Sequence, residues 1–144
     1  MGGKSTLRTR QKKASLSVLG KRLDDVLSLW IRQKDADRQS GIVLCCSCGR
    51  PHHWKDVDMG HFIPRSQGKA LRWDERNVAP QCRACNGAWG RPMNASGYAL
   101  YLLQKHGRDI IDKLEAEKRQ VKHWSRGEIE SMLEDYKQKL AELG

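Results

Sequence analysis

The chain has little with which to build a large core. It holds one Phe among 144 residues, aromatics make up 6% and hydrophobic residues 38%. A small core of this kind ordinarily relies on a staple, either a metal or disulfides. No apolar run approaches membrane-spanning length, and the first 13 residues are basic and polar, without the apolar stretch of a signal peptide. The expectation is therefore a cytoplasmic protein with no membrane partner, in a compartment where thiols stay reduced. Gly3-Lys4-Ser5-Thr6 lacks the preceding strand and upstream glycine of a phosphate loop, which excludes that nucleotide-binding reading. Acids are also short: 17 Asp and Glu face 27 Lys and Arg, for a net charge of +10 and a pI near 9.6. Four thiolates on one zinc ion would leave about +8. Such an excess points to a polyanionic partner.

The cysteines are what is there. Cys45-x-x-Cys48 and Cys82-x-x-Cys85 form two tight pairs, with residues 49–81 between them. A two-residue spacer lets both sulfurs of a pair turn toward one ion, and two pairs complete the tetrahedral shell that zinc prefers. All four positions are filled by protein, so this zinc is expected to be structural. Cys46 is surplus, a Cys46/Cys48 register stays open, and His52 and His53 are the remaining candidate ligands. Gly49 suits the tight turn after Cys48.

Along the chain, residues 1–13 read as a flexible basic arm. Leu16, Leu19, Leu23, Val26, Leu27, Trp30 and Ile31 mark an amphipathic helix from Ala14 to about Arg38, with Asp24, Asp25, Lys34 and Asp35 on its wet side. Short strand-like pieces follow as far as Cys82, after which the chain turns helical, interrupted by Gly87, Gly90 and Pro92. Asn94 or Ser96 caps a helix through Tyr98 and Leu102 that Gly107 stops. A further stretch covers Asp109 to Arg119, and Ser125 with Glu128 forms a capping box for a final helix. The resulting division is an arm (1–13), a helix (14–40), a zinc-bound core (41–94) and a helical C-terminal region (95–144).

Between and beside the cysteine pairs lie Gly60-His61-Phe62-Ile63-Pro64, Asn77 and Cys82-Arg83-Ala84-Cys85-Asn86. These segments resemble the HNH (ββα-metal) nuclease motif, with His61, Asn77 and Asn86 at its three signature positions. More narrowly, Asp58-Met59-Gly60-His61, Leu71-Arg72-Trp73-Asp74-Glu75-Arg76-Asn77, Gln81-Cys82, the Trp124 turn and Tyr136-Lys137-Gln138-Lys139-Leu140 resemble the phage lambda NinG (Rap) family of recombination proteins. The resemblance runs from about Val26 to Leu143. It implies an α+β fold, a small zinc-stapled ββα-metal core flanked by an N-terminal helix and C-terminal helices. It also implies a phage-encoded endodeoxyribonuclease that cleaves branched DNA, such as four-way (Holliday) junctions and D-loops, in the host cytoplasm.

On that resemblance His61 is the base that activates water, Asn77 braces the loop that orients it, and Asn86 opens a zinc-anchored helix and binds a catalytic Mg²⁺ or Mn²⁺. Many HNH enzymes place Asp immediately before the histidine, where this chain has Gly60. Asp58, two residues earlier, shares a strand face with position 60 and is the expected carboxylate ligand. Arg65, Lys69, Arg72, Arg76 and Arg83 surround the site as expected phosphate contacts. Arg91 stands in for the lysine that the family places after the Asn86 position. A homodimer is expected, because symmetric cutting of a four-way junction needs two sites, and the first and last helices supply either its interface or each other's cover. The other readings are an HNH nuclease for nicking, packaging or homing, and a zinc DNA-binding module without catalysis.

Overall fold

The computed structural model describes residues 13–144, so nearly all of the basic arm lies outside the described residues. Helix α1 spans Leu16–Gln33 and is opened by Ser15, whose hydroxyl accepts the Val18 N–H at 3.2 Å. Leu19, Leu23, Leu27 and Ile31 recur every fourth residue and line one buried stripe. The helix ends at Gln33, short of the expected Arg38. Asp37 draws the chain into a turn by accepting the N–H groups of Ser40 (2.7 Å) and Gln39 (3.2 Å), an interaction that competes with helix.

Two small antiparallel sheets follow. Strands β1 (Ile42–Leu44) and β2 (Pro51–His53) pair around the first cysteine pair. Strands β3 (Val57–His61) and β4 (Val78–Cys82) pair in a register that sets Asp58 opposite Gln81, Gly60 opposite Ala79 and His61 opposite Val78. Every residue of β4 is buried, because its two faces meet different cores. Val78 joins α1, Trp73 and the final helix, whereas Ala79 joins Cys46, Ile63, Tyr98, Leu102 and Leu114. Side-chain alternation along the strand places the hairpin between these two layers.

After Cys82 the chain makes turns and one 3₁₀ turn (Ala88–Gly90) in place of the expected helix. Helix α2 begins only at Ala95–His106, capped by Asn94, whose Oδ1 accepts the Gly97 N–H at 3.0 Å, and closed by Gly107. Helix α3 (Ile110–Glu117) follows, and α4 (Arg126–Glu142) opens on the Ser125–Glu128 capping box. Ile129, Leu133 and Tyr136 of α4 pack directly on the α1 stripe. The first and last helices thus cover one another within a single chain. Among the described residues, no helix is long and apolar enough to cross a membrane.

Leu23 is wholly buried at the centre of the α1–α4 layer. Leu23→Ala should cost about 2–5 kcal/mol, read as a lowered denaturation midpoint. A loss under 1 kcal/mol would mean that the two helices do not share this core.

Candidate functional site

The four cysteines converge. The Sγ atoms of Cys45, Cys48, Cys82 and Cys85 lie within 4.8 Å of one another, with Cys48 and Cys82 Sγ at 3.9 Å. Tetrahedral zinc with Zn–S bonds near 2.3 Å separates its sulfurs by about 3.8 Å, so the donor set fits a structural ion such as zinc. The two pairs are built alike: Gly49 N–H bonds the Cys45 carbonyl at 2.8 Å, and Asn86 N–H bonds the Cys82 carbonyl at 2.9 Å. Against the penalty of burial, N–H groups of Cys48, Cys82 and Ser47 bring the Cys45 thiol down to about 7. Burial first, and then the neighbouring sulfurs, hold Cys82 and Cys85 up. Four thiols packed this closely need a cation to ionise together.

Cys46 points away, packs with Tyr98 and Ile63, and is pushed up to about 12 by burial, which settles the register as Cys45/Cys48. His52 and His53 lie outside the cluster, the latter accepting the Lys55 N–H through Nδ1 at 3.1 Å. Among the described residues, the cysteine cluster is the one group of three or more potential ligands drawn from His, Cys, Asp and Glu.

His61 ends β3 in a cleft of about 470 Å³ that Asp58, Lys55, Arg83, Arg65 and Asp24 also line. Its Nε2 lies 2.9 Å from the Arg72 carbonyl oxygen. A carbonyl can only accept, so Nε2 carries the proton and Nδ1 keeps its lone pair. Burial lowers the His61 pKa from 6.5, outweighing the opposing carbonyl bond and the charge of Asp24. Burial thus favours the neutral form of the ring.

The loop bearing that carbonyl is held at several points. Asn77 is fully buried; its Oδ1 accepts the Ile63 N–H at 2.8 Å, and its Nδ2 donates to the carbonyls of Ile63 (3.0 Å) and Leu71 (3.2 Å). Trp124 Nε1 donates to the Lys69 carbonyl at 3.0 Å, and the Tyr98 hydroxyl to the Gly60 carbonyl at 2.8 Å. Asp24 of α1 accepts Arg72 Nε (3.0 Å), Arg72 Nη2 (2.6 Å) and Trp73 Nε1 (2.8 Å). The periodicity of α1 puts Asp24 on the wet side, yet its side chain is only 18% exposed and ties this helix to the residue that orients His61. The roles of Tyr98 and Asp24 are not legible in the sequence, because their partners Gly60 and Arg72 lie 38 and 48 residues away.

Asn86 sits beside Asp58, with its Nδ2 donating to Asp58 Oδ2 at 3.1 Å. It opens no helix: it closes the second cysteine turn, and α2 starts later, at Ala95. Arg83 Nε reaches Asp58 Oδ1 at 4.0 Å. Arg65 pairs with Asp24 at 3.4 Å, Arg72 is committed to Asp24, and Arg76 to Asp74 and Glu117. Lys69 and Arg91 make no ion pair among the described residues.

Gly60 has a steric explanation. A Cβ there would fall 2.0 Å from Gln81 Oε1. Gln81 is fully buried, its Nε2 held by Ser47 Oγ (2.9 Å) and the Cys85 carbonyl (3.2 Å), while Oε1 has no partner. The amide that links the two cysteine turns therefore fills the space of an acid at position 60, and Asp58 places a carboxylate in the cleft from two residues earlier.

The fold and site define a small α+β protein whose four-cysteine metal-type cluster adjoins a polar cleft containing histidine and aspartate. The chain belongs to the family described as Bacteriophage Lambda NinG protein, which it matches over residues 3–144. Relatives named Protein ninG from Salmonella phage P22 and Escherichia phage lambda are 29% and 28% identical over 125 residues, 85% of this chain and 56% of each relative. The protein of that name from Escherichia phage 933W is 29% identical, with 57% of its length covered. The chain thus spans about half the length of these relatives. No solved structure matches it significantly.

Gly60→Asp should cost about 3 kcal/mol or more, since it overpacks a buried site and sets a carboxylate against an unpartnered oxygen. Adding Gln81→Ala should recover part of that loss. A Gly60→Asp variant with wild-type melting would refute the steric account.

Proposed function

We propose that this chain is a metal-dependent endonuclease of the HNH type that hydrolyses phosphodiesters in branched DNA, such as four-way junctions and D-loops. The observation that carries the proposal is the His61 bond to the Arg72 carbonyl, which leaves Nδ1 as the basic nitrogen of a neutral ring in a polar cleft. In this reading His61 removes the proton of the attacking water, and Asn77 and Asp24 hold the loop that keeps the ring turned.

Zinc held by Cys45, Cys48, Cys82 and Cys85 has a structural role. The carboxylate of Asp58 and the amide of Asn86 are hard oxygen donors of the kind that hold Mg²⁺ or Mn²⁺ through few protein ligands, with water and phosphate completing the shell. Asn86 presents Nδ2 to Asp58, so holding a cation there calls for the amide to turn its oxygen inward. Such an ion, when bound, stabilises charge on the phosphate and leaving oxygens. Arg65, Lys69, Arg83 and Arg91 contact phosphates, whereas Arg72 and Arg76 act mainly through their acidic partners. The faces of α1 and α4 are used within the chain, so a homodimer that makes paired cuts would need another surface. Action in the cytoplasm of the bacterial host fits this substrate.

His61→Ala should lower cleavage roughly 10²–10⁴-fold while leaving zinc content and DNA binding intact. Asn86→Ala should also lose activity, and added Mg²⁺ should partly restore it. Wild-type cleavage should fall as pH drops through a value below 6.5, because protonating the ring removes the base. Wild-type rates in both variants on forked and four-way DNA would reject His61 and Asn86 as the machinery, and a wild-type chain that binds but does not cleave these DNAs with Mg²⁺ or Mn²⁺ would leave a non-catalytic zinc module.

A further inference from the structure

The loop that follows Asn86 carries a residue that its conformation does not ask for. Gly87 (φ 91°), Trp89 (φ 59°, ψ 33°) and Gly90 (φ 72°) are all left-handed, and Trp89 is the one non-glycine among the described residues with positive φ. Glycine adopts this region freely, while a bulky side chain is strained in it. Packing does not repay that strain, because Trp89 is 76% exposed. Trp30, Trp73 and Trp124 pack into the α1–α4 core, and Trp54 into the cluster beside β1. Trp89 alone among the five faces outward.

The loop is nevertheless held. Gly87 N–H bonds the Ala84 carbonyl (3.2 Å), Ala88 N–H the Arg83 carbonyl (2.9 Å), and Asn94 N–H the Cys85 carbonyl (2.8 Å). It is therefore rooted on the cysteine turn that also sets Asn86 beside Asp58. Arg83 and Arg91 flank it in a chain of net charge +10.

We infer that Trp89 is a stacking platform for an unpaired nucleobase at a DNA branch point, an inference that rests on the DNA reading above. An exposed indole on a hydrogen-bonded loop whose sequence also carries Arg83 and Arg91 combines the two features that bind single-stranded nucleic acid, a π-face for the base and cations for its phosphates. In continuous duplex both base faces are covered by their neighbours, so the platform favours substrates with unstacked bases. The residues that depart from the nuclease motif after Asn86 are thus the ones that select branched DNA.

The test compares Trp89→Ala, Trp89→Phe and Trp89→Gly in the full chain. Binding would be measured by fluorescence anisotropy on a duplex and on a forked DNA of equal length and charge. Trp89→Ala and Trp89→Gly should lose roughly 5- to 150-fold in affinity for the fork, with duplex affinity unchanged, while Trp89→Phe retains most of it. Trp89→Gly should melt about 3 °C higher, because it relieves the backbone. Lower melting of Trp89→Gly would make Trp89 structural and overturn the inference. So would equal losses on both DNAs, or a dimer that dissociates in Trp89→Ala. Wild-type protein that binds neither DNA refutes the DNA reading itself. Fork preference that persists in Trp89→Ala refutes the platform alone.

Discussion

The convergence of four sulfurs within 4.8 Å is the constraint on which the site depends. The first pair ends the β1 strand, the second ends β4, and Asn94 at the head of α2 reaches Cys85 Sγ at 3.7 Å. Three elements distant in sequence are thereby fixed around one point. Without a cation the cluster would be a set of crowded thiols; with one it closes a loop of the chain whose entropy a small apolar core could hardly offset. The Asn86 position follows directly, since its backbone closes the second cysteine turn.

The rest of the cleft is positioned by buried polar bonds. Asn77 binds both strands of its loop, Gln81 joins one cysteine turn to the other, and Asp24 reaches from α1 to Arg72. Each is low in exposure and bonded to backbone or to a charged partner, the condition under which a buried polar group specifies geometry. The His61 ring is the beneficiary, because the Arg72 carbonyl fixes its tautomer. In the proposed reaction helix α1 thus has a task beyond packing: through Asp24 it holds the loop that keeps the base aimed.

Features encoded by neighbouring residues were legible in the sequence. The paired cysteines, the Ser125–Glu128 box, the Asn94 cap and the Gly107 stop all depend on spacing over a few positions, and the structure has each of them. Features decided by tertiary contact were not. Helical periodicity puts Asp24 in water, but a loop some 48 residues away covers it. Beyond the interruptions expected at Gly87 and Gly90, Trp89 is left-handed as well, and α2 starts only at Ala95, because left-handed residues cannot continue a helix. The missing acid at position 60 made sense only when Gln81 was found in its place.

In the proposed reaction one ion holds the fold while a second, exchangeable ion serves the chemistry. One sample tests it: purified protein dialysed against a mild chelator, assayed for zinc by elemental analysis and for cleavage of forked DNA before and after Mg²⁺ is restored. The account predicts one zinc per chain throughout, no cleavage before Mg²⁺ and full cleavage after it. Absence of zinc from the folded chain, or cleavage that proceeds without added Mg²⁺, would contradict it.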